Sequence, residues 1–196
     1  MRTLNLPVIS ASLDPGSKSR KLAVSAWQYL RAAGHDSRLV DLAEIEYPIF
    51  DNARVFNSEA FKELHSVIAN ADAIVLAFPI YNWAPPAQLK SLIESTGATG
   101  DGMNTAAWFD KPVTFICSAG LPESYMATGA LAHSLMLDFK CVINPYHGYF
   151  ASRDFEDEET GTLVPERAQR LAKTLDVHQD LAFVLRERSY TSAWEV

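Results

Sequence analysis

Four hydroxyls, Ser10, Ser12, Ser17 and Ser19, crowd the stretch ISASLDPGSKSRKLA (Ile9–Ala23), where an apolar run gives way to an amphipathic one. Two chemistries suit hydroxyls at such a junction. They can cap a helix, or they can join the unpaired N–H groups of a helix start in holding an anion such as phosphate. Two further stretches carry unusual residues. FPIYNWAPP (Phe78–Pro86) sets Tyr81 and Trp83 between prolines, and flat aromatic rings suit a planar heterocycle. CSAGLP (Cys117–Pro122) has small side chains at Ser118, Ala119 and Gly120, which leave backbone N–H groups free to face the edge of a ligand.

The elements that must position these residues follow from the hydrophobic periodicity. Leu4–Ser10 reads as an apolar strand in which Pro7 fits near the start. Ser19–Ala33 is a helix with Leu22, Ala26, Leu30 and Ala33 on one face, closed by Gly34. Ser37–Leu42 is a second strand, followed by the loop AEIEYPIFDN. Ser58 caps a helix through Asn70 that turns Phe61, Leu64 and Ile68 inward. Ala71–Phe78 is an unbroken apolar run, as in a strand buried on both faces. Ala87–Thr96 is helical, and Gly97–Asp110 is irregular. Val113–Cys117 is another buried strand, Ala127–Phe139 a helix and Cys141–Asn144 the last strand. An acidic loop, DFEDEETG, leads to a helix from Pro165 to Arg186.

Strands and helices thus alternate at spacings suited to right-handed crossovers, which implies an α/β three-layer sandwich around a parallel sheet. Spacing alone leaves the strand order open. With the order 2-1-3-4-5, the loops Ser10–Ser19, Pro79–Pro86 and Ser118–Tyr125 all follow strands that meet at one crevice, where open α/β sheets bind ligands. Residues 1–196 are expected to form a single domain, without internal repeats or low-complexity segments.

Composition excludes several classes. The formal net charge of −7, with no basic stripe, argues against nucleic acid. No apolar run is long enough to span a membrane, and the first residues make a poor signal peptide, so a cytoplasmic location is expected. Cys117 and Cys141 read as buried free thiols, and His35, His65, His133 and His178 form no metal-ligand pairs. His147 reads as a surface histidine. The nucleotide-binding pattern G-x-x-x-x-G-K-[ST] would need glycines where Ser12 and Ser17 stand, and G-x-G-x-x-G and G-x-S-x-G are absent. A phosphatase loop fails because Glu123 stands six residues after Cys117. What remains is phosphate held by hydroxyls and backbone N–H groups, without metal.

ISASLDPGSKSRKLA, PIYNWAPPAQLKSLIE (Pro79–Glu94) and KPVTFICSAG (Lys111–Gly120) are similar, in this order and spacing, to three motifs of the NAD(P)H-dependent FMN reductase family. The resemblance covers roughly residues 4 to 150. It implies a flavodoxin-like fold with a five-stranded sheet in the order 2-1-3-4-5, non-covalent FMN, and hydride transfer from NAD(P)H to a flavin, quinone or azo-type acceptor. It further implies that Ser12, Ser17, Ser19 and the Lys18 N–H hold the FMN phosphate. Pro79, Ile80, Tyr81, Asn82 and Trp83 would pass along the isoalloxazine ring, and Ser118, Ala119 and Gly120 would meet its pyrimidine edge. A homodimer or homotetramer is expected by the same resemblance. Two residues depart from the family pattern: Ala11 stands where glycine is usual, and Asp14 where an arginine often approaches the phosphate. No protein acid or base is required for hydride transfer, and none stands out. The competing readings are a flavodoxin-like one-electron carrier and a flavin-free binding protein of the same fold.

Overall fold

The computed structural model describes residues 3–98 and 106–189, so part of the irregular stretch Gly97–Asp110 lies outside the described residues. β1 (Val8–Ser10) is buried throughout. Pro7 lies just outside it, where the missing N–H breaks no ladder bond, and its carbonyl accepts from the Val75 N–H at 3.1 Å. The strand is therefore shorter than Leu4–Ser10, although Leu4 and Leu6 remain buried. β2 (Leu39–Asp41), β3 (Ile74–Pro79) and β4 (Pro112–Ala119) join it in a parallel sheet.

The last strand position is split. β5 (Val142–Ile143) pairs with Pro112–Val113, and β6 (Gly148–Ala151) pairs with Ile116–Ala119 on the same edge of β4. Sequence periodicity finds only the first piece. Asn144 makes the break: its Nδ2 donates to Thr114 Oγ1 and to the Thr174 carbonyl, each at 3.0 Å, while its Oδ1 accepts from the Tyr146 N–H at 2.8 Å. Pro145 has no N–H to continue the ladder. The order is β2-β1-β3-β4-β5, with β6 extending the fifth position, and the fold is flavodoxin-like.

Alternation along β3 divides the core. Ile74, Leu76 and Phe78 pack with Leu64 and Ile68 of α2 (Glu59–Ala69), Leu89 and Leu92 of α3 (Ala87–Thr96), and Leu131 and Leu135 of α4 (Gly129–Phe139). Val75 and Ala77 pack on the other face with Leu22 and Leu30 of α1 (Lys18–Ala32) and Leu171 and Leu175 of α5 (Pro165–Arg186). Helices on both faces explain why the central strands are apolar on both sides. α4 begins later than the periodicity suggests because Pro122–Thr128 winds as 3₁₀ turns. Among the described residues no helix is long and apolar enough to cross a membrane.

The acidic stretch expected as a loop contains a hairpin, β7 (Phe155–Asp157) and β8 (Thr162–Leu163). Asp157 Oδ1 accepts from the Glu159 N–H at 2.8 Å and tightens its turn. Gly161 has φ +79°, and a Cβ there would lie 2.6 Å from Cβ of Lys21. Only glycine allows the hairpin to lie this close against α1.

Candidate functional site

The first loop leaves β1 under control of its neighbours: the Ala11 N–H donates to the Ala77 carbonyl and the Leu42 N–H to that of Ser10, both at 2.9 Å. The chain then folds into a compact turn. Asp14 Oδ1 accepts from the Gly16 N–H at 2.9 Å, and the Asp14 carbonyl accepts from the Ser17 N–H at 3.0 Å. This is the turn-forming use of aspartate, and Asp14 itself is exposed.

α1 starts at Lys18, and the Lys21 N–H bonds to the Ser17 carbonyl at 3.3 Å. The N–H groups of Lys18, Ser19 and Arg20 precede that bond and have no intrahelical acceptor. A simple cap would satisfy one of them with the Ser17 hydroxyl, but Ser17 makes no capping bond. Its Oγ lies instead 2.9 Å from Oγ of Ser19. Ser12, Ser17 and Ser19 are all buried, and Ser10 Oγ, at the end of β1, is buried with no hydrogen-bond partner among the described residues. Buried hydroxyls that leave a helix start uncapped are what an anion needs and a plain cap does not explain.

The adjacent cations are already committed. Lys18 Nζ donates to Ser152 Oγ at 2.7 Å and to Glu158 Oε1 at 2.6 Å, over the Phe155 ring. Arg20 pairs with Asp41 and Glu44. Positive potential at the turn therefore comes from the helix N-terminus and its N–H groups.

The second loop is closed by reciprocal bonds between Tyr81 and Ala84, at 3.0 and 2.9 Å. Asn82 and Trp83 between them have φ of 50° and 62°. These are the φ values of a type I′ turn, which asparagine accepts and tryptophan disfavours. The turn holds Tyr81 and Trp83 outward, at 50% and 56% exposure. The third loop is tied to it by the Ile80 N–H donating to the Ser118 carbonyl at 2.9 Å, and nothing lies within 4 Å of where a Gly120 side chain would begin.

Together the three loops enclose a cleft of about 200 Å³ lined by Asp14, Gly16–Lys18, Pro79–Tyr81 and Ser118–Gly120. Ser12 and Ser19 stand buried outside that lining, and Asn82 and Trp83 form the turn beside it. Asp14, which stands where an arginine often approaches the phosphate, lines the cleft, and so does Gly16. The thiols lie elsewhere as inert core groups: burial pushes Cys141 up to about 12 and Cys117 well above its ordinary value. His147 differs from the surface histidine expected. Its ring packs 5.1 Å from that of Phe115, and burial, with the nearby Arg170 charge, lowers its pKa. Among the described residues no group of three His, Cys, Asp or Glu is placed to hold a metal.

The family model described as NADPH-dependent FMN reductase matches residues 4–154. The chain is 34% identical over 139 residues to an FMN-dependent NADH:quinone oxidoreductase of Bordetella petrii, covering 62% of this chain and 61% of that relative's length. It is 25% identical to an NADH-dependent FMN reductase of Pseudomonas fluorescens, over 78% of this chain and 80% of the relative. In architecture it resembles FerB, a flavoenzyme NAD(P)H:(acceptor) oxidoreductase from Paracoccus denitrificans, with a TM-score of 0.73 at 20% identity over 93% of this chain and 98% of that one.

Proposed function

Because the chain belongs to the NADPH-dependent FMN reductase family, we propose that it is an FMN-dependent oxidoreductase that takes hydride from NAD(P)H and passes it to a small-molecule acceptor. The observation that carries this reading is the uncapped start of α1, with Ser12, Ser17 and Ser19 buried around it and Ser10 Oγ unpartnered. A phosphate monoester fits that donor set of hydroxyls and N–H groups, beside which Lys18 and Arg20 are already paired with carboxylates.

In this reading Ser12, Ser17, Ser19 and the Lys18 N–H hold the FMN phosphate. Pro79, Ile80, Tyr81, Asn82 and Trp83 line the path of the isoalloxazine ring, and its pyrimidine edge meets Ser118, Ala119 and Gly120, where the absent Gly120 side chain allows close approach. The flavin supplies the hydride chemistry; the protein binds and orients it. Backbone N–H groups at Ser118–Gly120 stabilise negative charge that develops at that edge. Trp83 and Tyr81 keep one wall of the site apolar and exposed to an incoming partner molecule. Residues 1–196 act as one FMN-binding domain, working in the cytoplasm as a homodimer or homotetramer through exposed apolar side chains such as Leu13 and Ile49.

The deciding experiment is an absorbance spectrum of the purified protein with added FMN, then with NADH or NADPH under nitrogen. Bound flavin that bleaches supports the reading. Bound flavin that neither nucleotide bleaches points to a one-electron carrier, and no bound flavin removes the proposal.

A further inference from the structure

A second cavity, of about 650 Å³, opens beside the edge strand β6, between the 3₁₀ turns of Pro122–Thr128 and the first turns of α5. Its volume falls in the range of small-molecule sites and exceeds that of the three-loop cleft. The two spaces are separated by the end of β4: Cys117 borders the second cavity, and Ser118 borders the cleft.

Three arginines reach this cavity against two carboxylates, in a chain whose formal net charge is −7. Arg167 is already paired, its Nε 2.9 Å from Oδ1 of the buried Asp154, whose other oxygen accepts from the Ala151 N–H at 2.9 Å. Arg153 and Arg170 are different. Among the described residues neither has a carboxylate partner; Arg170 makes only a 3.3 Å contact with the His147 carbonyl and lies over the Tyr146 ring. Two guanidinium forks without counter-ions favour a phosphate, which they can grip through paired N–H donors. The opposite wall is aromatic. Tyr125 and Tyr149 meet edge to face at 6.4 Å, and Tyr125 is 60% exposed, leaving ring surface for a base to pack against.

We propose that this cavity binds a phosphorylated nucleoside, with its phosphate on Arg153 and Arg170 and its base against Tyr125 and Tyr149. The cavity shares no lining residue with the cleft, so nucleotide binding there is independent of the flavin reading, and only the assignment of NADPH as its source rests on that reading. Its ligand can come from two sources with the same chemistry: a free nucleotide, or the 2′-phosphoadenosine end of NADPH.

The test is calorimetric titration of adenosine 2′,5′-bisphosphate into the purified protein, with and without saturating FMN. One saturable site is expected, unaffected by FMN and weakened about tenfold or more in the double variant Arg153→Gln/Arg170→Gln. Both arginines are exposed, and circular dichroism with an FMN titration of the variant checks its fold and its cleft separately. Absence of binding, equal binding by the variant, or displacement of the probe by FMN overturns the proposal. If the variant also raises KM for NADPH but not for NADH, the pyridine nucleotide is the source. Lost probe binding with both KM values unchanged identifies a free nucleotide.

Discussion

The ammonium of Lys18 lies 2.6 Å from Oε1 of Glu158, so the first residue of α1 is tied to the β7–β8 hairpin, 140 positions further along the chain. The hydrogen bond from Lys18 holds the Glu158 carboxyl below its ordinary pKa. A depressed carboxylate pKa contributes stability above the ordinary value and loses it as pH falls through the folded one. Replacing Lys18 with Met should return the Glu158 titration, followed by NMR, to the usual carboxylate range. FMN affinity should change little, because the proposed cradle uses only the Lys18 N–H. A large loss of affinity would show that the ammonium itself reaches the phosphate.

Asp14 combines a useful carbonyl-type oxygen with an unhelpful charge. Its Oδ1 accepts from Gly16, and asparagine offers the same acceptor without the negative charge. Asp14→Asn should therefore keep the turn and tighten FMN binding by about fivefold at low salt, with the gain shrinking as salt rises. Fluorescence titration at two ionic strengths measures both effects.

Ser17→Ala removes one buried hydroxyl from the cradle and leaves Ser19 Oγ without its partner. The expected result is FMN binding weaker by about 1 kcal/mol, the worth of one hydrogen bond, with an unchanged far-UV spectrum. Unaltered affinity would return Ser17 to the role of a packing residue.

His178 is fully buried, pairs through Nδ1 with Thr114 Oγ1 at 2.9 Å, and among the described residues has no partner for Nε2. Burial lowers its pKa to about 3, so the folded chain keeps it neutral while the unfolded chain protonates it below about 6.5. Its contribution is complete above the unfolded value and declines as pH falls toward the folded one. Between pH 7 and pH 5 this group alone should cost about 2 kcal/mol of stability, read by denaturant unfolding. The variant His178→Gln should show a shallower decline over the same interval.

Trp83 occupies a left-handed position at φ 62° that glycine would fill without strain. Trp83→Gly should leave the melting temperature unchanged or slightly higher, despite removal of a large side chain. The acceptor KM should rise, because the exposed ring wall is lost. A drop of several degrees in melting temperature would mean that the indole packs structurally.

Much of the architecture was legible in local patterns. The apolar run Ala71–Phe78, the Phe61–Leu64–Ile68 spacing and the Ser58 cap report elements whose side chains repeat at the period of their own backbone, and these depend little on distant contacts. The serine cluster was legible for the same reason: a strand-to-helix junction is a local event, and residue type there reveals which donors it leaves free. β6 was not legible, because what interrupts the fifth strand is Asn144 bonding to Thr114 and to the Thr174 carbonyl, each 30 positions away. Nor was the hairpin at Phe155–Leu163, whose residues read as a solvated acidic turn until Gly161 is seen against Lys21.

Short-range periodicity and residue type thus carry the alternation of elements, the two-faced core and the serine-rich junction ahead of α1. Tertiary structure alone decided which cations the junction could use, how Trp83 is presented, and that Arg153 and Arg170 border one cavity beside Tyr125. Those outcomes depend on which distant groups meet. A chain pattern with a period of two or three to four residues holds no record of partners many turns away.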